Sequence, residues 1–66
     1  MNATINGEAR DIAEGTTLAQ LLHDLGIGGG GIAVAVNAHV VRGAAFAQHA
    51  LHDGDSVEII RAVAGG

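Results

Sequence analysis

Few residues in this sequence could do chemistry on their own: four histidines, seven side-chain carboxylates, one serine and no cysteine. His49 and His52 stand three apart beside Asp53 and Asp55, a spacing that can bring two imidazoles to one side of a helical turn. A structural zinc site needs about four ligands in tetrahedral array. His23 and His39 fall on other elements, so no metal is expected. Asp53-Gly54-Asp55 lacks the remaining oxygen ligands of a calcium loop and reads as a tight turn. Ser56 opens a strand with no evident base beside it. Gly26-Ile27-Gly28-Gly29-Gly30-Gly31 spells G-x-G-x-x-G, yet it follows a helix and opens a strand, the reverse of the dinucleotide fingerprint. No Lys-Ser or Lys-Thr follows to make a phosphate loop. The acids are spread over turns and surface positions and make no catalytic pair. Neither a cofactor nor an enzyme is expected.

What remains is the ending, Ala64-Gly65-Gly66. Two glycines leave the terminal acyl carbon unhindered and let the backbone take almost any φ/ψ. Such a tail can be threaded into another protein's active site as a substrate. The carboxylate of Gly66 is the expected working group, and the rest of the chain its handle. With 11 glycines in the chain, a Gly-Gly ending also arises by chance. The ending alone decides nothing.

The handle is small. Sixty-six residues make one domain, 1–66, with 62–66 as a projecting tail. A chain of that length buries only about 60% of its unfolded surface, leaving little room for both a core and a deep pocket. Without cysteine there is no thiol nucleophile, no zinc-thiolate site and no cysteine-borne persulfide. No signal peptide or long apolar span is evident, so a cytoplasmic protein off the membrane is expected. Three arginines and no lysine against seven acids give a net charge of −4, with Phe46 the only aromatic. That argues against nucleic acid and suits a basic protein partner.

The elements that must carry the tail are legible. Met1, Ala3 and Ile5 alternate with polar residues as in a half-buried strand. Asn6-Gly7 is a hairpin turn, and a second strand through Glu8 to Ala13 follows, with Ala9 and Ile12 as weak apolar positions. Thr17 as N-cap with Gln20 three residues on fits a capping box. Leu18, Leu21, Leu22 and Leu25 then line one face of a short helix, which Gly26 ends. After a glycine connector, Ile32 to Val36 reads as a central strand covered on both faces. Asn37-Ala38-His39 turns into a short strand at Val40-Val41. Gly43 to His52 is expected to form a brief helical turn with Phe46 and Leu51 inward, and Ser56 to Val63 a last strand. The order β-β-α-β-β-β implies an α+β fold, a mixed sheet of four to five strands grasping one main helix.

Parity on the last strand puts Glu58 and Ile60 on the open face if Val57 and Ile59 face the core. Ile60 is then a candidate partner contact, continued by Val63 and Ala64, although single exposed apolar residues are ordinary. Extended, residues 62–66 reach roughly 16 Å.

Taken together, Glu14-Gly15-Thr16-Thr17-Leu18 with Leu21-Leu22, Ala35-Val36-Asn37 with Val40-Val41, Ala47-Gln48-His49, Asp53-Gly54-Asp55-Ser56-Val57-Glu58 and Val63-Ala64-Gly65-Gly66 resemble the ThiS-type sulfur carriers of bacterial thiamine biosynthesis. The resemblance covers nearly the whole chain. It departs from the family where Arg42-Gly43 replaces a Pro-Arg pair and Phe46 a tryptophan. It implies the ubiquitin-like β-grasp fold with a flexible C-terminal tail. It also implies a cycle in which a ThiF-like adenylyltransferase uses ATP to adenylate Gly66, and a sulfur donor protein converts the adenylate to a thiocarboxylate. A ThiG-like thiazole synthase then takes the sulfur. Gly65, Ala64 and Val63 would be recognised as the tail, with Ile60 and Phe46 as possible partner contacts. The rivals are a carrier for molybdopterin or another sulfur-containing metabolite, a ubiquitin-like modifier conjugated through Gly66, and a β-grasp binding module with an inert tail.

Overall fold

The computed structural model describes residues 1–28 and 31–61. Among the described residues five strands form one mixed sheet in the order β2-β1-β5-β3-β4, with one α-helix packed on it. Strand β1 (Asn2–Ile5) buries Ala3 and Ile5 and turns at Asn6-Gly7, both at positive φ (50° and 85°). That is the primed turn whose twist matches a hairpin. It leads into β2 (Glu8–Asp11).

Every residue of β2 is exposed, including Ala9, and the strand ends two residues before the expected Ala13. The register pairs Ala9 with Thr4, on the face opposite the buried Ala3 and Ile5, so Ala9 stands on the open side of the sheet. Ile12, just beyond the strand, packs against the core beneath helix α1 (Leu18–Asp24).

Thr17 caps α1, its hydroxyl accepting the Gln20 N–H at 3.2 Å. The capping box is only half made, because the Gln20 side chain donates forward to Asp24 at 2.9 Å. At the other end Gly26 (φ 72°) lets its own N–H reach the His23 carbonyl and the Ile27 N–H reach that of Leu22. This is the paired closure that a glycine after the C-cap permits. The apolar face carries Leu18, Leu21 and Leu22 fully inward and Leu25 partly.

Strand β3 (Ile32–Val36) buries Val34 and Val36, while Ala33 is exposed and Ala35 half-exposed. The run is therefore covered on one face, not on both as its unbroken hydrophobicity implied. Alanine is small enough to stand on an open face at little cost, and hydropathy alone does not distinguish that from burial. Asn37-Ala38 make a second primed turn (φ 51° and 69°) into β4 (His39–Val41).

A 3-10 helix (Gly43–Gln48) then sets Phe46 against the core, and Leu51 is buried. The segment after it is bonded to the start of α1: Leu18 N–H donates to the His49 carbonyl (3.0 Å) and Leu51 N–H to that of Thr16 (2.8 Å). Strand β5 (Ser56–Arg61) runs parallel to β1 and antiparallel to β3, with Val57 and Ile59 buried. Placing the first and last strands side by side at the centre, with the helix as crossover, gives the β-grasp arrangement. Among the described residues no helix is long and apolar enough to cross a membrane.

Candidate functional site

The root of the tail is the end of β5. Ile59 is its last buried residue, 9% exposed, whereas Ile60 is 59% exposed and Arg61 is open to solvent. Pairing across the sheet sets Ala33 opposite Ile60, Ala35 opposite Glu58, and Val40 opposite Ala35. Alternation then collects Ala33, Ala35, Val40 (78% exposed), Glu58 and Ile60 on the face away from α1. The small alanines form a floor between the two bulkier aliphatic residues. Phe46 lies elsewhere, half-buried among the core residues on the helix side, so the two expected contact residues do not share a face.

Three side chains fix β5 beneath this surface, and sequence reasoning gave none of them a role beyond a turn. Asn6 reaches past the end of β1, its Oδ1 accepting the Ile59 N–H at 2.7 Å. Asn37 and Asp55 form a second clamp. The Asn37 Oδ1 accepts the Ser56 N–H (3.0 Å), and its Nδ2 donates to the Asp55 carboxylate (3.0 Å). The other Asp55 oxygen accepts the His52 N–H at 2.8 Å. Asp55 is the one buried charged side chain among the described residues. Burial alone would raise its pKa. The His52 backbone bond, the Asn37 amide and the neighbouring His52 and His49 imidazoles outweigh that and hold it below the ordinary carboxylate range. One available signal was that both turns, Val36-Asn37 and Asp53-Gly54-Asp55, carry a short polar side chain able to bond a neighbouring backbone.

The remaining candidates separate. His23 is exposed on α1 and His39 on β4, while His52 Nδ1 stands 3.9 Å from Asp55 with its own side chain largely in solvent. Among the described residues no three His, Asp or Glu side chains are grouped to hold a metal ion. Within the G-x-G-x-x-G stretch Gly26 closes the helix, and Gly29 and Gly30 lie outside the described residues.

A model of the ThiS family matches residues 3–66. This chain belongs to the ThiS family. It is 35% identical to the sulfur carrier protein ThiS of Escherichia coli over 66 residues, covering the whole of both chains. It is 38% identical over its full length to part of a thiazole synthase from Paramagnetospirillum magneticum, of which it spans 20%. The crystal structure of the thiamine biosynthesis protein ThiS from Geobacter metallireducens superposes with a TM-score of 0.84 at 32% identity, with all of both chains covered. These ThiS likenesses agree with the mixed sheet and single helix read from the element order and with the ubiquitin-like β-grasp that the resemblance implied. The tail residues Val63, Ala64, Gly65 and Gly66 lie outside the described residues.

Proposed function

We propose that this ThiS-family chain is a recyclable sulfur carrier for thiamine biosynthesis, a co-substrate and not a catalyst. Gly66 is its reacting group. A ThiF-like enzyme transfers AMP from ATP to the Gly66 carboxylate and releases pyrophosphate. Sulfide delivered by a donor protein then adds to the acyl carbon, the bond to AMP breaks, and a thiocarboxylate remains. Gly65 and Gly66 leave that carbon unhindered, and Val63 and Ala64 guide the tail. Residues 1–61 are the single folded handle and 62–66 the projecting segment. Ile60, with Ala33, Ala35 and Val40 around it, supplies an apolar contact for a partner, and Phe46 a second contact from the helix side.

The observation that carries this proposal is the family match running through Gly66, together with full-length alignment to a named sulfur carrier. Likeness to one fifth of a thiazole synthase supports a ThiG-like acceptor of the sulfur. The test is intact-mass analysis after incubation with a ThiF-like enzyme, ATP and sulfide. A form heavier by the sulfur-for-oxygen difference, trapped by alkylation and absent when Gly66 is deleted, is expected. An unchanged mass with an enzyme that thiolates its own carrier overturns the proposal.

A further inference from the structure

We propose that Asn6 is a positioning residue for the tail: its side-chain amide acts as an added rung of the sheet that holds the last core residue of β5, two residues before the strand ends. The reaction role rests on the tail being the reacting group, as proposed above.

Strand β1 pairs with β5 only through Thr4↔Ser56 and Ile5↔Val57, whereas on the other side β3 accompanies β5 as far as Ile32↔Arg61. Where β1 ends, Asn6 enters the hairpin turn at φ 50°. Its backbone N–H donates to the Val57 carbonyl at 2.8 Å. Its side chain then continues the ladder one step further. Oδ1 accepts the Ile59 N–H at 2.7 Å, and Nδ2 lies 3.4 Å from the Ile59 carbonyl as a weaker donor. A primary amide has the same donor and acceptor pair as a peptide unit, so it can replace a missing strand residue. Ile59 is also the last core residue of β5. It is thus the final point at which the chain is held by the core and by groups on both sides.

The consequence concerns how much chain a partner must order. Each residue fixed on docking costs conformational entropy. If β5 frays from Ile59, residues 59–61 join the segment to be ordered, and productive docking becomes rarer without any change at the reacting carboxylate.

Two variants test this. Asn6→Gly keeps the positive φ and removes the amide. Asn6→Asp keeps an acceptor for the Ile59 N–H. Both are to be assayed well below their melting temperatures, with folding verified by circular dichroism. In Asn6→Gly the Ile59 amide is expected to exchange at least roughly ten-fold faster while Val34, in β3, is unchanged. The KM for the carrier in ATP-dependent activation should rise roughly two-fold at constant kcat, the change expected when about half of the molecules are frayed from Ile59. Asn6→Asp should recover most of both effects. A merely structural role would lower the melting temperature and leave KM alone. Unchanged exchange at Ile59, or an Asn6→Gly KM equal to that of the parent chain, overturns the proposal. Failure of the parent chain itself to be activated overturns the functional proposal and the reaction role with it. The exchange measurement would still decide whether Asn6 holds β5 at Ile59.

Discussion

Exchanging the partners of the Asn37–Asp55 clamp should largely preserve stability, whereas changing either one alone should not. In Asp55→Asn one oxygen is replaced by an NH2 group, which must face either the His52 N–H or the Asn37 Nδ2, both donors in the parent chain. One charge-assisted bond is lost and one donor is left unpaired, a cost of about 2 kcal/mol. Asn37→Asp instead sets a second carboxylate against Asp55, with a cost of about the same size from like-charge repulsion. In the double variant every group has a partner again. The carboxylate now at position 37 would accept from the Ser56 N–H and from the amide now at position 55, whose oxygen would accept from the His52 N–H. Aspartate also tolerates the positive φ of 51° at position 37.

Domains of this size have a total stability of about 3–10 kcal/mol, so 2 kcal/mol is readily visible. It corresponds to a fall of roughly 8–16 °C in melting temperature. The chain has no tryptophan or tyrosine, so urea unfolding should be followed by far-ultraviolet circular dichroism. The double variant is expected to recover more than half of the summed loss, a coupling of at least about 2 kcal/mol. Additive losses would refute the clamp as drawn. Acid supplies a second readout. The folded-state pKa of Asp55 is depressed, so the unfolded chain binds its proton first. The contribution is whole above roughly pH 4 and is lost as pH falls through the lower folded value. The deficit of Asp55→Asn should therefore narrow below roughly pH 4.

Ala38 holds a φ of 69°, a conformation that disfavours a Cβ; Ala38→Gly should raise stability by about 0.5–1 kcal/mol, read from the urea midpoint. Thr17→Ala removes the hydroxyl that accepts from Gln20 and should cost about 1 kcal/mol by the same measurement. Ile60→Asp changes an exposed side chain, so stability should stay within about 0.5 kcal/mol. Its KM in ATP-dependent activation should rise, and an unchanged value would remove Ile60 from the partner surface.

Much of this architecture could be read from periodicity and turn chemistry. The leucine spacing of α1, the Asn6-Gly7 hairpin and the alternation in β5 are local signals, and local signals fix local elements. Where the reading missed, the deciding quantity was tertiary. Ile32–Val36 looks doubly buried because alanine counts as apolar wherever it sits, and only the position of the single helix shows which face is open. Ala9 counts as apolar, yet its pairing with Thr4 turns it to the open face, opposite Ala3 and Ile5. Gln20 chose Asp24 over the cap, a competition between two bonds of similar strength. Asn6 bonds Ile59 across a separation of 53 residues; no sequence window contains both.

If Gly66 is the reacting group, as proposed, the clamps bear on why so small a domain suits that role. The parallel β1–β5 pairing brings the last strand to the middle of the sheet, where it has a neighbour on each side. Asn37 and Asp55 secure its beginning and Asn6 its last core residue. The core below it is supplied by Leu18, Leu21, Val34 and Val57, all nearly inaccessible to solvent. A strand held at its beginning, at its last core residue and from beneath leaves a partner fewer residues to order. A tail issuing from an edge strand such as β2 would have no neighbour on one side to hold its root. On this view, the central position of β5 is what lets so short a segment serve, and lengthening the tail by inserted glycines after Arg61 should weaken activation while leaving the melting temperature unchanged.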